Sequence, residues 1–393
     1  MADKAFEAFK TQVCLIASGD AHRAAVRSAL SPYYLLHDFA NSQEGLDWLR
    51  QHRPALVILD EETAPLGGLS LLEAYFRIPF SKRRDSDARP PVVCMGSRKA
   101  SPFLLRAREL GADFLLLKPF QPSQIIHAIS ALVNRKVEQS WERLPEAASD
   151  ALILSADLFD SLSDIVANQQ PLPLASVANA CKSIVTVAEK GQTEVLLSSL
   201  VGHNNVILVH SVRVAVHLAL FGRASGYSGG SLMTLVMSGL LHDLGKIEIP
   251  FHTLNKPGTI TFDDRKAMRN HVVCTIDMLE RTQAMPHSVS VAVTQHHERM
   301  DGTGYPQGLL GKDISAFARL LAIVDVFCAM TDIRPYRKPK NKEEALAEMG
   351  GMKGAFDPAL FKVFRQLVCD DSALIVPSEP ILRGQESGLA ASP

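Results

Sequence analysis

Apolar residues recur in two different rhythms along this chain. In the first third, short apolar runs at Val13 to Ala17, Leu56 to Leu59, Val92 to Met95 and Phe114 to Leu117 alternate with helical stretches. That alternation predicts an α/β domain built on a parallel sheet. In the C-terminal half the runs HSVRVAVHLAL from His210, MRNHVVCTIDML around His271 and RLLAIVDVFCAM around Asp325 are helical and largely apolar, which predicts an all-α bundle. Between the two, RKVEQSWERLPEAASD is polar and predicts a helix ending near Pro145, and Ala151 to Asn168 reads as an amphipathic helix. QQPLPLAS marks a loop near 170, and a helix from about Ala175 to Lys190 opens the bundle. The expected organisation is therefore an α/β domain over 1–135, a helical linker over 136–174, a helical domain over 175–376 and a loose tail over 377–393.

Polar residues that interrupt the apolar helices carry the candidate chemistry. The run LLHDLGKIEIP sets His242 directly before Asp243, with Lys246 a turn further on. An imidazole and a carboxylate can both reach metal, and the carboxylate has two oxygens with which to bridge two ions. The dipeptide alone is a weak signal. His210, His271, the adjacent pair His296-His297, and Asp325 raise the set to seven candidate ligands, each delivered by the next helix along. Asp325 lies inside an otherwise apolar run, where a carboxylate is expensive unless paired or bound to metal. Arg319 or Arg334 are its alternative partners. His203, His217, His252 and His287 read as ordinary hydrogen-bonded histidines, although His203 and His217 lie seven residues either side of His210 and spacing alone does not reject them. A set of imidazoles and carboxylates without thiolate suits iron, manganese or zinc better than magnesium or calcium.

In order and spacing, HSVRV, HDLGKIEIP, LNKPG, RNH, HHERMDGTGYPQGL, VDVFCAM and RPYR resemble the HD-GYP family of bacterial phosphodiesterases, within the HD-domain metal-dependent phosphohydrolases. The likeness spans roughly residues 200 to 340, and Gly304-Tyr305-Pro306 is the distinguishing element. The resemblance implies a helical bundle around two or three metal ions that cleaves cyclic di-GMP to pGpG or GMP. It implies metal ligation by His210, His242, Asp243, His271, His296, His297 and Asp325, with Asp243 bridging two ions that share a hydroxide. His210, His242 and Asp325 would complete one shell, and His271, His296 and His297 the other. Lys246 would hold the scissile phosphate or assist the leaving oxygen, and Arg334 and Arg337 would clamp phosphate oxygens. Tyr305 would stack on a base or pack the loop. Some family members bind a third metal with a glutamate one turn before the first histidine; Val206 stands there, so a two-metal site of iron or manganese, or else zinc, is expected. Cyclic GMP-AMP is a close alternative substrate, and a metal-retaining nucleotide sensor or interaction module with little turnover is the alternative class.

PALVILDEE, GGLSLLEA and GADFLLLKPF in the first third resemble the flavodoxin-like receiver domain of response regulators. Asp60 takes the phosphoacceptor position and Lys118, before Pro119, the lysine position. Receivers hold magnesium with an acidic pair after the first strand; here Ala17-Ser18 stands in that place and Asp20 falls late. Gly96 replaces the usual threonine or serine, with Ser97 next to it. The expectation is a degenerate receiver that serves as a homodimer contact or signalling-partner domain, with compensation by Asp20 as the alternative.

Composition narrows the classes further. The 393 residues suffice for two or three domains, and a formal net charge of −1 gives no basis for broad nucleic-acid binding. No basic recognition helix follows the receiver-like part, so DNA is not an expected partner. Six dispersed cysteines without a CxxC pair suit a reducing cytoplasm. His210, Arg213 and His217 break the most apolar helix, and neither membrane insertion nor a signal peptide is expected.

Overall fold

Strands β1 (Gln12–Ile16), β2 (Leu35–Phe39), β3 (Leu56–Asp60), β4 (Val92–Gly96) and β5 (Phe114–Leu117) pair in parallel in the order β2-β1-β3-β4-β5. This computed structural model describes residues 11–31, 33–80, 89–249, 251–254, 261–332 and 339–369. Every residue of β3 and β4 is buried, which is why both read as unbroken apolar runs. β2 escaped the sequence pattern. It is an edge strand of half-buried residues, LLHDF, with no continuous apolar run.

Helices α1 (Asp20–Leu30), α2 (Ser42–Gln51), α3 (Gly68–Phe76), α4 (Pro102–Glu109) and α5 (Pro122–Trp141) complete this unit. Val26 and Leu30 of α1 and Ile125 and Ile129 of α5 bury one face of the sheet. Leu46, Leu71 and Phe103 of α2, α3 and α4 bury the other. Asp60 ends β3 beside the point where the strand order reverses, the usual ligand edge of such sheets. There Lys118 Nζ lies 2.7 Å from Asp60 Oδ1 and His22 Nε2 lies 3.4 Å from Oδ2. The residues that a receiver would use for magnesium are otherwise engaged. Ser18 Oγ donates to Ala40 O and accepts from Ala64 N, bracing two loops. Asp20 pairs with Arg23 on the surface, its side chain 89% exposed. Ser97 donates its hydroxyl to Glu61.

The 136–174 segment differs from the expected linker. α5 runs through position 135 without a break and ends at Trp141, which is fully buried, donates Nε1–H to Ser199 O and stacks on His203. The next helix, α6 (Glu146–Ala167), starts five residues earlier than expected and buries Ala148, Ala151, Leu152, Ser155, Phe159, Leu162 and Ile165. These form one face at helical spacing, and that face packs in the same core as α7 (Leu174–Glu189), α9 (Val206–Ala224) and α10 (Gly229–Leu241). A helix buried this thoroughly is part of the bundle rather than a tether, so we place the start of the helical body at Glu146. α8 (Thr193–Ser199) fills the gap between α7 and α9.

α9 is apolar on nearly every face because it serves two cores. Val212, Ala215 and Ala219 pack with α6, α7 and α10. Val214, Leu218 and Phe221 pack with α13 (Ala316–Thr331), α14 (Lys342–Gly351) and α15 (Pro358–Cys369). The bundle closes with α11 (Phe262–Arg281) and α12 (His287–Gln295). Among the described residues α9 is the one helix long and apolar enough to cross a membrane, and 78% of its apolar window is buried inside the protein. The expected 377–393 tail lies outside the described residues.

With Asp60 held by Lys118 and His22 and no acid pair after β1, a small phosphoryl donor plus magnesium is expected to leave Asp60 unmodified. Intact mass spectrometry of wild type and Asp60→Ala should show each protein at its own unmodified mass; a phosphoryl adduct present only in wild type would contradict this.

Candidate metal centre

Three helices and the ends of two more converge on one buried volume. α9 is capped by Asn205, whose Oδ1 accepts from Leu208 N, and brings in His210 just over one turn later. α10 ends at Leu241, so the His242-Asp243 pair does not lie within a helix as expected but at its C-terminal end, where the chain tightens into a 3-10 turn over Leu244–Glu248. Gly245 permits this turn: a Cβ there would collide with the His271 carbonyl. Its N–H is also bonded to Thr275 Oγ1, 2.9 Å away, which fixes the turn against α11. α11 supplies His271, the end of α12 supplies His296 and His297, and α13 supplies Asp325.

All seven candidate ligands meet. His210, His242, Asp243 and Asp325 present donor atoms within 4.8 Å of one another, and His271, His296 and His297 form a second such group. Asp243 lies between them. Its Oδ2 is 3.5 Å from His210 Nε2 and 3.2 Å from His242 Nε2, while Oδ1 is 3.2 Å from His271 Nε2. Asp325 Oδ1 is 3.0 Å from His210 Nε2, and Oδ2 lies 3.9 Å from His297 Nδ1.

The opposite ring nitrogens explain why the Nε2 atoms point inward. His242 Nδ1 donates to Gly239 O at 2.8 Å, His271 Nδ1 to Met268 O at 2.5 Å and His296 Nδ1 to Val293 O at 2.5 Å. His210 Nδ1 donates to Asp332 Oδ2 at 2.7 Å. A carbonyl can only accept, so each tethered Nδ1 carries the proton and leaves Nε2 as the lone-pair nitrogen suited to a metal. Correspondingly, His242 Nε2, His271 Nε2, His296 Nε2 and Asp243 Oδ1 are buried polar atoms without a hydrogen-bond partner. Orphaned acceptors aimed at one volume are what a cation site leaves when it is described without its ions, so these residues fit divalent metal.

Electrostatics agree with that fit. Burial pulls His210 down to about 4 and His297 down to about 3, and it drives His296 well below its ordinary value, so these rings are neutral donors. Burial acts the same way on His242, but Asp243 and Asp325 overcome it and raise that ring to about 10. Burial by itself would raise both aspartates; His242 and Lys246 outweigh it at Asp243, and His210 and His242 at Asp325, so both stay ionised. Lys246 extends its ammonium onto Asp243 Oδ2. The site opens on the side of His297 and Lys246, whose side chains are 23% and 16% exposed against 8% or less for the other charged or ligating groups.

Tyr305 stacks on His297 with ring centroids 4.7 Å apart. Its loop is pinned by Glu298, a buried carboxylate that accepts from the backbone N–H groups of Gln307, Gly308 and Leu309 at 2.6, 3.1 and 2.9 Å. Glu298 and Asp332 were not singled out in the sequence, and Arg213, noted there only as a break in an apolar helix, pairs with Asp332 in the core. The available signals were proximity to the histidine pair for Glu298 and a seven-residue step from Asp325 for Asp332. Arg319 is not the partner of Asp325; it bonds Asp357. Arg334 and Arg337 lie outside the described residues. His203 pairs with Glu138, and His217 donates Nδ1–H to Arg213 O, so neither joins the cluster. His287 sits exposed at the start of α12.

Comparison with known proteins agrees with this geometry. Residues 194–360 match the model of the HD domain family. A probable cyclic di-GMP phosphodiesterase of Vibrio cholerae is 36% identical over 386 residues, covering 93% of this chain and 81% of that protein. The cyclic di-GMP phosphodiesterase response regulator RpfG of Xanthomonas campestris is 28% identical over 331 residues, 84% of this chain and 79% of the relative. A 3'3'-cGAMP-specific phosphodiesterase of Vibrio cholerae is 34% identical over 158 residues, 40% of this chain and 34% of that protein. A helical domain with this buried histidine and aspartate set, a GYP loop against it and a relative matched along most of both chains leave one assignment: the chain belongs to the HD-domain family, in its HD-GYP branch, with a receiver-like domain ahead of the helical one.

Proposed function

We propose that this chain is a cyclic dinucleotide phosphodiesterase that hydrolyses cyclic di-GMP to pGpG, to GMP or to both, at a centre holding two divalent ions, iron or manganese with zinc as a third candidate. The observation that carries the reading is Asp243, whose two oxygens face two separate groups of donors. His210, His242 and Asp325 would hold one ion with Oδ2; His271, His296 and His297 would hold the other with Oδ1. When bound, such a pair supplies positive charge that neutralises a phosphodiester and acidifies water near neutral pH.

The protein's own groups do the rest. The Nδ1 tethers keep these imidazoles oriented, and burial favours the neutral form of His210 and His296. Lys246, on the open side, is a cation close enough to Asp243 to meet a phosphate there. Tyr305, stacked on His297, offers an aromatic face at the same opening. Names among the relatives include both cyclic di-GMP and cyclic GMP-AMP enzymes, so both nucleotides belong in the assay. The receiver-like domain is proposed as a contact for a signalling partner or a second copy, since Asp60 is already engaged.

The deciding measurement is anaerobic turnover with defined metals and identification of the product. Tight nucleotide binding with no hydrolysis in iron- or manganese-loaded protein would instead make it a sensor. His242→Ala combined with Asp243→Ala is expected to abolish turnover and lower bound metal in elemental analysis, because each ion loses a donor. Lys246→Ala should lower turnover with metal content nearly unchanged; a matching drop in metal would assign Lys246 to the integrity of the centre instead. With Val206 at the position of the third-metal glutamate, anaerobically purified protein should carry two metals per chain. Three per chain would refute the two-metal reading.

A further inference from the structure

We propose that Arg269 is a substrate-contacting residue that binds the second, non-scissile phosphate of the cyclic dinucleotide. The inference rests on the phosphodiesterase reading and assigns a residue to the far side of the substrate. Arg269 lies on α11 two positions before His271, and its guanidinium sits 4.8 Å from the centroid of the Tyr305 ring. That ring stacks in turn on His297, so Arg269, Tyr305 and His297 form a continuous stack leading outward from the buried cluster. His297 is the most exposed of the candidate ligands, which places the stack on the open side of the site.

Among the described residues no carboxylate pairs with Arg269. Asp264, five positions earlier on α11, caps its own helix through Thr261, and Asp301, four positions before Tyr305, binds Arg299 and Thr303. A guanidinium held by its face on an aromatic ring keeps its N–H edge free, and that edge matches two oxygens of a phosphate. Tyr305 also cannot drift from under it easily. Its loop is fixed by the three bonds to Glu298, and Gly304 packs so closely on Glu298 and Arg299 that a Cβ would not fit. The cation, exposed to solvent, is therefore held over an anchored ring beside the opening.

A cyclic dinucleotide carries two phosphates on opposite sides of one small ring. When one lies at the buried cluster, the other must project outward along the substrate. A positive charge two stacked rings away from the cluster meets that second phosphate and has no counterpart for a simple diester. This separates Arg269 from Lys246, which touches Asp243 itself.

The test compares Arg269→Ala and Arg269→Lys with wild type on two substrates, cyclic di-GMP and bis(p-nitrophenyl) phosphate, which has only one phosphate. With Arg269→Ala, KM for cyclic di-GMP should rise about 10- to 100-fold, the usual effect of losing a charged hydrogen-bond pair, with kcat little changed. Arg269→Lys should recover part of that loss, and turnover of the small diester and metal content should stay at wild-type level. If the small diester or the metal content suffers equally, Arg269 acts only by supporting Tyr305 and His297, and the proposal fails. Unchanged KM in an active enzyme overturns it as well. Wild type that cleaves the small diester but neither binds nor cleaves cyclic di-GMP would overturn the substrate reading itself, a distinct result.

Discussion

Two carboxylates buried side by side dominate this structure. Asp243 and Asp325 are almost completely shielded from water, and each buried charge costs several kcal/mol unless it is compensated. Compensation comes from every direction: four imidazoles with fixed protons, the Lys246 ammonium, and the volume between the two donor groups that fits divalent ions. The tethers follow from helix geometry. His242 and His296 lie just past the ends of their helices, where the last carbonyls lack amide partners, and each ring binds the carbonyl three residues back. The helix ends are thus satisfied by the same side chains whose other nitrogen faces the centre. His271, in mid-helix, also binds the carbonyl three residues back, whereas His210 uses Asp332, itself held by Arg213.

The GYP segment obeys a related rule. Two glycines and a proline would make a soft loop, yet the backbone N–H groups after Pro306 converge on the buried Glu298 carboxylate. Because Glu298 follows His297 directly, the loop is fixed to the same few residues that carry the histidine pair. The aromatic face of Tyr305 is consequently positioned relative to the centre by short covalent and hydrogen-bonded links, not by packing alone.

Much of this was legible in the sequence, and the parts that were not share a cause. The seven donors stand out because polar residues in apolar helices are costly, and that cost is visible one residue at a time. Asp332 and Glu298 are polar residues at helix or turn boundaries, where polarity is ordinary; their partners are defined only by tertiary folding. Arg269 reads as a solvated arginine until Tyr305 is found beneath it. The end of α10 at Leu241 hinges on how closely Gly245 packs against α11, a contact no local pattern encodes. β2 was invisible as a half-exposed edge strand, and α6 showed its apolar face but not the partner that buries it.

That last difference changes how the two units relate. A polar linker would let the receiver-like sheet move independently of the centre. Instead α5 packs Ile125 and Ile129 under the sheet at one end and locks Trp141 into the bundle at the other. Along the same helix Asn134 accepts from Asn204 N, and Glu138 pairs with His203. Asn204 precedes the Asn205 cap of α9, and His210 follows on that helix. The chain of contacts from sheet to ligand therefore runs through one continuous helix and one capped helix start. Trp141 is fully buried in the bundle, where truncation of such a side chain costs about 3–5 kcal/mol. The receiver-like domain is thus connected, through α5 and the start of α9, to the helix that carries the first histidine of the centre.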